Sequence, residues 1–465
     1  MVRTLLGRRS DWRIVRPRAI RRPRVTVALL GPALVAASVL VGWPAFADAT
    51  GEGSVSLGLF VGASSIVLMA WTFLLALRLR WLEPVFGGLD RMYRVHRWAG
   101  SLAVVAMFLH TSLEPEIDGG IRGATERLAD SAQELAGVAE IMLYVLVGVS
   151  LLRWLPYRYW RWTHKLLGVP FVFASAHFFT AEKPYANGSG WGWWFGAWMV
   201  LGTAAYVWRL AVGDGIANGV AYDVVEARRT PSSVELRLLP TGVRRVRPRE
   251  GQFAFIRVQL PGLREPHPFT IASSATGGDL RFMIRTVGDW SQRLHRTDPL
   301  VGTRVLVDGP YGRFRPGAAG RPMLWVAGGV GITPFLAAIG GLPSEAPEAD
   351  RPVLVYCVGD RADALAIAEV ESAAAAGRIR LSLHVSAEGS RLDATRLATI
   401  AGRADLRGVH VAVCGPAALV NAVVRASERL GAIDIQHEDF DLRQGFGPDL
   451  SLPIDQLTHD WRSAR

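Results

Sequence analysis

Four histidines inside apolar segments constrain this chain more than any other feature. His96 and His110 bound the run HRWAGSLAVVAMFLH and lie fourteen residues apart, while His164 and His177 bound HKLLGVPFVFASAH. Along a helix, fourteen residues cover about 20 Å and return almost to the same face, at about 100° per residue. Two helices that each carry a histidine near each end can bind two hemes stacked across a membrane.

A histidine in a membrane segment can instead hydrogen-bond a neighbouring helix. The pairing favours metal ligation, because two separate segments repeat nearly the same span. His164 and His177 are thirteen residues apart, which places them on different faces of an ideal helix. Pro170 lies between them, and we expect it to bend the helix and restore a shared face.

Apolar residues concentrate in the first half of the chain, and the mean hydropathy of all 465 residues is +0.21. The pattern predicts six membrane helices, at about residues 25–46, 54–77, 95–113, 135–152, 164–180 and 191–209. The first ends in AFA before Asp48, as signal peptides do. Its 23 uncharged residues and its arginine-rich flank favour an uncleaved helix.

Charged residues in the loops predict the orientation in the membrane. The connections at 78–97 and 153–165 are rich in arginine, whereas the connection at 114–134 is mainly acidic. Because basic loops stay in the cytoplasm, we expect the N-terminus and the chain after the sixth helix on the cytoplasmic side of a plasma membrane. The first histidine of each segment then lies near the inner face, and the second lies near the outer face.

Net charge and cysteine content exclude several classes of function. Residues 1–24 contain nine arginines and one aspartate, so they account for +8 of the net charge of +11. A short basic tail before an apolar helix predicts a cytoplasmic anchor and no nucleic-acid partner. Cys357 and Cys414 are the only cysteines in the sequence, which excludes a disulfide framework, a Cys-ligated zinc site and an iron–sulfur cluster.

Residues 217–313 read as short strands separated by turns, which predicts a small antiparallel barrel. The motif HPFTIASS lies within it. His267 and Pro268 predict an extended backbone there, and Thr270 offers a hydroxyl to the edge of a flat ring. In the following IRTVGDWSQRL, Arg285 and Ser291 are candidates for a pyrophosphate if a helix begins near Trp290.

From about residue 319 the pattern alternates strand and helix, which predicts a doubly wound α/β sheet. MLWVAGGVGITPFLAAIGGL reads as a buried strand, a glycine-rich turn and a helix. The glycines that let the backbone approach a phosphate there are Gly328, Gly329 and Gly331. CGPAALV repeats this arrangement at the end of another strand, where open α/β sheets bind ligands.

These motifs, in this order, resemble the ferric reductase / NADPH oxidase family. The resemblance covers about residues 25–443 and rests on the histidine pairs, HPFTIASS, IRTVGDWS, VDGPYGRF, GGVGITPF, CGP and HEDFDLR. It implies an α-helical membrane bundle of six helices, then an antiparallel β-barrel FAD domain and an α/β doubly wound NAD(P)-binding domain. The expected parts are a basic tail (1–24), the heme-binding membrane domain (25–210), the FAD barrel (217–313), the NAD(P)H domain (319–443) and a C-terminal tail (444–465).

The resemblance also implies the ligands of each cofactor. Two b-type hemes are held by an inner pair, His96 and His164, and an outer pair, His110 and His177. The residues implied for FAD are His267, Pro268, Phe269, Thr270, Arg285 and Ser291. Those implied for NADPH or NADH are Gly328, Gly329, Val330, Gly331, Ile332, Thr333, Pro334, Cys414, Gly415 and Pro416. In the family an aromatic residue near the C-terminus stacks on the flavin, and Phe440 is at the matching position. Because this chain continues beyond the family pattern, Phe446 is a second candidate for this role.

The implied function is a transmembrane oxidoreductase that passes electrons from cytoplasmic NAD(P)H through FAD and two hemes to an outer acceptor. A ferric chelate is favoured, whereas dioxygen reduced to superoxide and an outer redox protein stay open as acceptors. In the alternative, the membrane half only anchors a flavin reductase and binds no heme. Arg361 and Arg391 can meet the 2′-phosphate of NADP, but Asp360 disfavours it, so the nucleotide and the oligomeric state stay open.

Overall fold

A computed structural model describes residues 25–47, 53–117, 119–152, 155, 157–212, 219–274, 277–317, 320–344, 347–348, 351–387 and 392–437. The predicted tails at 1–24 and 444–465 lie outside the described residues. So do Arg391 and the two flavin-stacking candidates, Phe440 and Phe446.

The first half of the described chain is helical, since long apolar segments must satisfy their backbone polar groups internally in lipid. Its helices are α1 (Val25–Leu40), α2 (Pro44–Ala47), α3 (Gly53–Ala76), α4 (Glu83–Phe86), α5 (Leu89–Leu113), α6 (Glu126–Leu151), α7 (Tyr157–Lys165), α8 (Gly168–Thr180) and α9 (Gly190–Ala211). α3 packs mainly against α5 and α9, and α6 packs against α8. Strands β1 (Ile121–Arg122) and β2 (Glu182–Lys183) pair and join the loops that follow α5 and α8.

A helix lies at each of the six predicted membrane segments, but these helices differ in length and polarity. Among the described residues, three helical stretches are long and apolar enough to cross a membrane: Leu29–Ala47, Gly53–Ala76 and Glu126–Leu151. α5 begins with the charged sequence LDRMYRVHR, and α8 has only 13 residues. Six membrane spans therefore remain a prediction.

The predicted fifth membrane helix is divided into α7 and α8, and the break does not lie at Pro170. The backbone N–H groups of Leu166 and Leu167 bond to carbonyls three residues back, at 3.1 and 3.3 Å. Such turns rotate the chain by about 120° per residue instead of about 100°. This tight turn rotates His177 back toward the face of His164. Pro170 lies in the first turn of α8, where its missing N–H leaves no helical hydrogen bond unmade.

The predicted antiparallel barrel forms, because its segments alternate buried and exposed residues. Its elements are β3 (Val220–Thr230), β4 (Ser233–Pro240), β5 (Phe253–Val258), β6 (His267–Thr270), β7 (Leu280–Arg285), β8 (Arg304–Tyr311) and a helix, α10 (Asp289–Arg296). The strand order is β6–β5–β8–β3–β4–β7, with every pair antiparallel. A bridge between Ile271 and Phe282 brings the two ends of the sheet together, so the barrel is nearly closed.

The predicted doubly wound sheet follows the barrel. Its elements are β9 (Met323–Gly328), α11 (Thr333–Gly341), β10 (Val353–Val358), α12 (Ile367–Ala375), β11 (Arg380–Val385), α13 (Ala394–Ala401), β12 (His410–Cys414), α14 (Ala417–Arg429) and β13 (Asp434–His437). The strands are parallel in the order β11–β10–β9–β12–β13. The winding direction reverses between β9 and β12, and open sheets bind ligands in the crevice at such a point.

The membrane half and the barrel share one apolar core. Phe253, Phe255 and Tyr311 come from the barrel, yet they are buried in the same cluster as residues of the membrane helices, such as Phe86 and Leu89. The barrel therefore rests directly on the helical half.

Candidate functional site

The inner histidine pair lies between α5 and α7. The ring centroids of His96 and His164 are 6.2 Å apart, and the ring planes are inclined by 61°. If both imidazoles bind one metal ion, each ring centroid lies about 2.0 Å plus roughly 1.1 Å from the metal. The two ring centroids are then about 6 Å apart. The described residues contain no cluster of three or more protein ligands for a metal ion. The spacing of the two rings itself fits one metal ion bound between them, as in a heme with two histidine ligands.

Hydrogen bonds fix the tautomers of the inner pair. Nδ1 of His96 lies 2.9 Å from the carbonyl oxygen of Thr72 on α3, and a carbonyl can only accept. Nδ1 of His164 lies 3.2 Å from the hydroxyl of Ser150 on α6. That hydroxyl donates to the carbonyl of Leu146 at 2.7 Å, so it accepts from the imidazole. Both rings therefore carry the lone pair on Nε2, the nitrogen that can bind a metal.

Trp160 holds the ring of His164 in place. Its indole stacks on the imidazole, with ring centroids 4.9 Å apart and planes within 10°. Its indole N–H also donates to the carbonyl of Ser150 at 3.0 Å. The Trp160 indole therefore orients a candidate metal ligand.

The outer histidine pair lies on α5 and α8. Nδ1 of His110 is 2.9 Å from the carbonyl oxygen of Gly58, which again leaves the lone pair on Nε2. A Cβ at Gly62 would lie 2.6 Å from the same Nδ1, so α3 needs a glycine there to accommodate the imidazole. His177 is close enough to His110 to interact with it electrostatically. The structure thus brings together both predicted pairs.

A buried lysine lies beside the outer pair. Nζ of Lys183 donates to the carbonyl oxygens of Phe178 at 2.7 Å and Ala181 at 3.1 Å, at the C-terminal end of α8. Burial lowers the pKa of its ammonium group to about 8. At neutral pH the group is therefore mainly charged, and it interacts electrostatically with His177.

The HPFT motif forms strand β6 on the edge of the barrel. His267 pairs with Ile256 of β5, in the extended backbone that the sequence predicts. The ring centroid of Trp290 lies 4.5 Å from that of His267 and 5.7 Å from that of Phe269. This aromatic cluster attaches α10 to β6, while Thr270 is buried at the strand end.

The helix predicted near Trp290 begins at Asp289, and Ser291 organises its first turn. The Ser291 hydroxyl accepts hydrogen bonds from the backbone N–H groups of Val287 and Gly288, each at 3.0 Å, and donates to the Gly288 carbonyl at 2.9 Å. The hydroxyl thus has a structural task, and its contact with a pyrophosphate remains a prediction.

The two predicted nucleotide-binding segments meet at the crevice between β9 and β12. A Cβ at Gly331 would lie 2.2 Å from the carbonyl oxygen of Cys414, and one at Gly328 would lie 2.8 Å from Cδ of Pro416. These glycines are therefore required by the close approach of the two turns. Of the other predicted residues, Ile332, Thr333 and Pro334 are buried, so their side chains stabilise the turn.

Gly329 has a different environment from its neighbours. Its φ is +55°, a conformation that favours glycine. The nearest atom to its Cβ position is Nη1 of Arg285, at 3.7 Å. The guanidinium predicted for FAD therefore lies beside the turn predicted for NAD(P)H, so the two candidate sites are adjacent.

Two family models match the chain. Residues 61–175 match the ferric reductase like transmembrane component, and residues 239–315 match an FAD-binding domain. This chain joins a ferric reductase-like transmembrane component to an FAD-binding domain. The first match includes three of the four histidines, and His177 lies two residues beyond it.

Individual relatives match parts of the ferric reductase-like chain. The electron transfer component of 2-halobenzoate 1,2-dioxygenase from Burkholderia cepacia is 29% identical over 201 residues, which cover 41% of this chain and 58% of that protein. NADPH oxidase 3 from Homo sapiens is 32% identical over 111 residues, covering 21% of this chain and 20% of that protein. The chain thus spans less than two thirds of the length of these relatives. A solved structure, the flavohem-like FAD/NAD-binding domain of nitric oxide dioxygenase from Vibrio cholerae O1 biovar El Tor, covers 48% of this chain and 98% of its own, with 21% identity and a TM-score of 0.42.

The family models and the NADPH oxidase match show that this chain is similar to oxidoreductases of the ferric reductase and NADPH oxidase kind. Together with the three apolar helices, the first model identifies an integral membrane protein. The predicted resemblance is confirmed at this level.

Sequence reasoning missed the groups that orient the imidazoles of the ferric reductase-like half. The carbonyls of Thr72 and Gly58 carry no side-chain signal, and Ser150 reads as an ordinary helical serine. Gly62 did offer a signal, because a glycine inside a helical pattern often marks a close approach.

Proposed function

We propose that the chain is a transmembrane oxidoreductase in which electrons pass from cytoplasmic NAD(P)H through FAD and two stacked b-type hemes to an outer acceptor. The 6.2 Å separation of the His96 and His164 rings carries the proposal. If the histidines only formed hydrogen bonds between helices, the two imidazoles would not need to lie at this distance from each other. Binding of one metal by both rings does require it. When bound, heme iron supplies one-electron chemistry.

The chain would hold its two hemes at two depths. His96 and His110 lie on one unbroken helix, α5, and their fourteen-residue separation is about 21 Å along its axis. Their partners lie on α7 and α8, joined by the tight turn at Leu167. Ligation by two histidines leaves no open coordination position, so the acceptor would receive electrons at the edge of the outer group.

The place where the barrel meets the parallel sheet is where the nicotinamide and the flavin would meet. Arg285 lies beside Gly329 there, and its guanidinium is suited to a pyrophosphate oxygen. A glycine at position 329 has no side chain to block a phosphate group at this turn. The proximity of these two residues supports binding of both nucleotides next to each other.

We favour a ferric chelate as the acceptor. The loop between α5 and α6 is predicted at the outer face, and Glu114, Glu116, Glu126 and Asp130 are exposed on it or at its end. Such a surface attracts cationic complexes, including ferric chelates that carry a net positive charge. Strand pairing joins this loop to the segment that carries Lys183, close to the outer pair.

Heme content is the first test. The full-length protein, purified in detergent, is expected to contain two b-type hemes and one FAD per chain by pyridine hemochrome and flavin fluorescence. NADPH or NADH added under nitrogen should reduce the hemes without dithionite. A folded, flavin-loaded sample without heme would overturn the proposal and leave a membrane-anchored flavin reductase.

Histidine variants test the order of the two pairs. His96→Leu and His164→Leu should each lose one heme and abolish nucleotide-driven reduction of the other. His110→Leu and His177→Leu should each lose one heme but keep nucleotide-driven reduction of the remaining one. His437→Gln, an exposed position on β13, is the control and should behave as wild type. Full reduction of the outer heme in His96→Leu would contradict the path.

The acceptor is tested by adding a positively charged ferric chelate or air to the nucleotide-reduced protein. Rapid reoxidation by the chelate, with little superoxide trapped in air, is expected. The reverse result would identify dioxygen as the acceptor and the protein as an oxidase.

A further inference from the structure

The junction between the membrane half and the barrel contains a strained arginine. Arg78 follows α3 and has a φ of +55°, which non-glycine residues rarely adopt. Strain of this kind persists only where the surroundings hold a residue firmly, and it often marks a functional position.

The side chain of Arg78 is held between aromatic residues of the two halves. Its Nε donates to the hydroxyl of Tyr93 on α5 at 2.6 Å. Its guanidinium carbon lies 3.8 Å from the ring centroid of Phe255 on β5. Tyr93 precedes His96 by three residues, and their ring centroids are 6.3 Å apart. A continuous line of contacts thus runs from the FAD-binding barrel to an inner histidine.

Other contacts at the junction keep the same two surfaces together. Phe255 and Tyr311 are buried in the cluster that also contains the membrane helices. The buried carboxylate of Glu83 accepts a hydrogen bond from the backbone N–H of Gly312 at 2.9 Å. Arg78 therefore lies within an ordered interface, where a change of one side chain alters how the two halves fit.

We infer that Arg78 and Tyr93 are positioning residues that set the placement of the FAD-binding barrel against the inner histidine pair. The inference rests on the proposed function. A planar guanidinium stacks on one ring while it donates to another group, so it fixes both distance and orientation. Electron transfer from the barrel to the inner site is then limited by this geometry, since small misplacements cost large factors in rate.

The test uses the full-length, cofactor-loaded protein with Arg78→Gln and Tyr93→Phe. The matched control is Arg91→Gln, because Arg91 lies on α5, two residues before Tyr93, and is exposed. Arg80 is unsuitable, since it contacts Asp308 of the barrel at 3.4 Å. Stopped-flow spectra under nitrogen follow flavin reduction and heme reduction separately. We expect Arg78→Gln to slow heme reduction about tenfold or more, with flavin reduction and heme content unchanged. Arg78→Lys should be intermediate, Tyr93→Phe should also be slower, and Arg91→Gln should match the wild type.

Heme reduction at the wild-type rate in Arg78→Gln would overturn the inference. A fall in rate that merely tracks lost heme or flavin would also overturn it, because the arginine would then only support the fold. A wild-type protein without heme would overturn the proposed function instead. Hydrogen exchange still tests the docking in that case: β5 amides should exchange faster in Arg78→Gln than in Arg91→Gln, and equal exchange would overturn the docking.

Discussion

Oε1 of Glu83 and the backbone nitrogen of Gly312 are 2.9 Å apart, and their hydrogen bond joins the start of α4 to the end of the barrel. Burial of the Glu83 side chain raises the pKa of its carboxyl group, and the Gly312 N–H opposes the shift. A protonated carboxyl keeps a carbonyl oxygen that can accept from this N–H. The stability of the junction should therefore depend on pH.

The first prediction concerns Glu83→Gln. Because the folded-state pKa lies above the ordinary value, the stability that Glu83 contributes is full below that value and is lost as pH rises through the folded pKa. The neutral amide should remove this dependence. Thermal melting from mildly acidic to neutral pH should thus decline less in the variant than in the wild type. Glu114→Gln, at an exposed position, should keep the wild-type slope, and an unchanged slope in Glu83→Gln would contradict the prediction.

The second prediction concerns Ser150→Ala. The Ser150 hydroxyl accepts a hydrogen bond from Nδ1 of His164. Loss of such a partner of a metal-binding histidine typically lowers metal affinity about 10-fold or more. Heme at the inner site should therefore transfer faster to apomyoglobin, while the outer site is unaffected. Ser175→Ala is the matched control, since this buried serine bonds only back to Phe171 on α8 among the hydrogen bonds described. Equal transfer rates in the two variants would argue against the role of Ser150.

The third prediction concerns Lys183, whose pKa is lowered by burial to about 8. Below that pH its positive charge beside His177 favours the reduced, less positive state of the outer heme. The outer reduction potential should therefore fall as pH rises through about 8 in the wild type. Lys183→Met should lower the potential at neutral pH and flatten its dependence on pH. Arg127→Met, at an exposed position on α6, is the control. An unchanged profile in Lys183→Met would exclude the lysine.

The fourth prediction concerns Gly331→Ala. A Cβ at this position would lie 2.2 Å from the Cys414 carbonyl, so the ends of β9 and β12 must separate. Overpacking of this kind costs about 1–3 kcal/mol. We expect a lower melting temperature and a raised KM for NAD(P)H, with FAD content retained. Gly278→Ala, where no heavy atom lies within 4 Å of the added Cβ, should change neither. A normal KM in Gly331→Ala would exclude this crevice as the nucleotide site.

The secondary-structure elements of the barrel and the parallel sheet were predictable because they depend on the local periodicity of apolar residues. Alternation in SVELRLLP indicates a half-buried strand, and β4 forms there. Continuous apolar runs flanked by glycine indicate parallel strands, and β9 and β12 confirm them. The strand order was not predictable, because pairing across long sequence separations leaves no local pattern. That order brings Gly328 and Pro416 together.

The candidate ligands were predictable, but their surroundings were not. Spacing alone places His96 and His110 on one helix, α5. Between His164 and His177 the helix breaks at Leu166 and Leu167 and not at Pro170, where the sequence placed the bend. A proline in the first turn of a helix interrupts no helical hydrogen bond. Ser150 acts on a histidine from another helix, so only the tertiary arrangement reveals it.

The aromatic residues Phe253, Phe255 and Tyr311 determine whether the half after α9 can be soluble on its own. In the intact chain their burial depends on the membrane helices. A gene shortened to encode only the half after α9 would yield a domain with three rings turned toward water, a surface that promotes self-association. The half after α9 is therefore not a detachable module, and its solubility depends on the membrane bundle on which it sits.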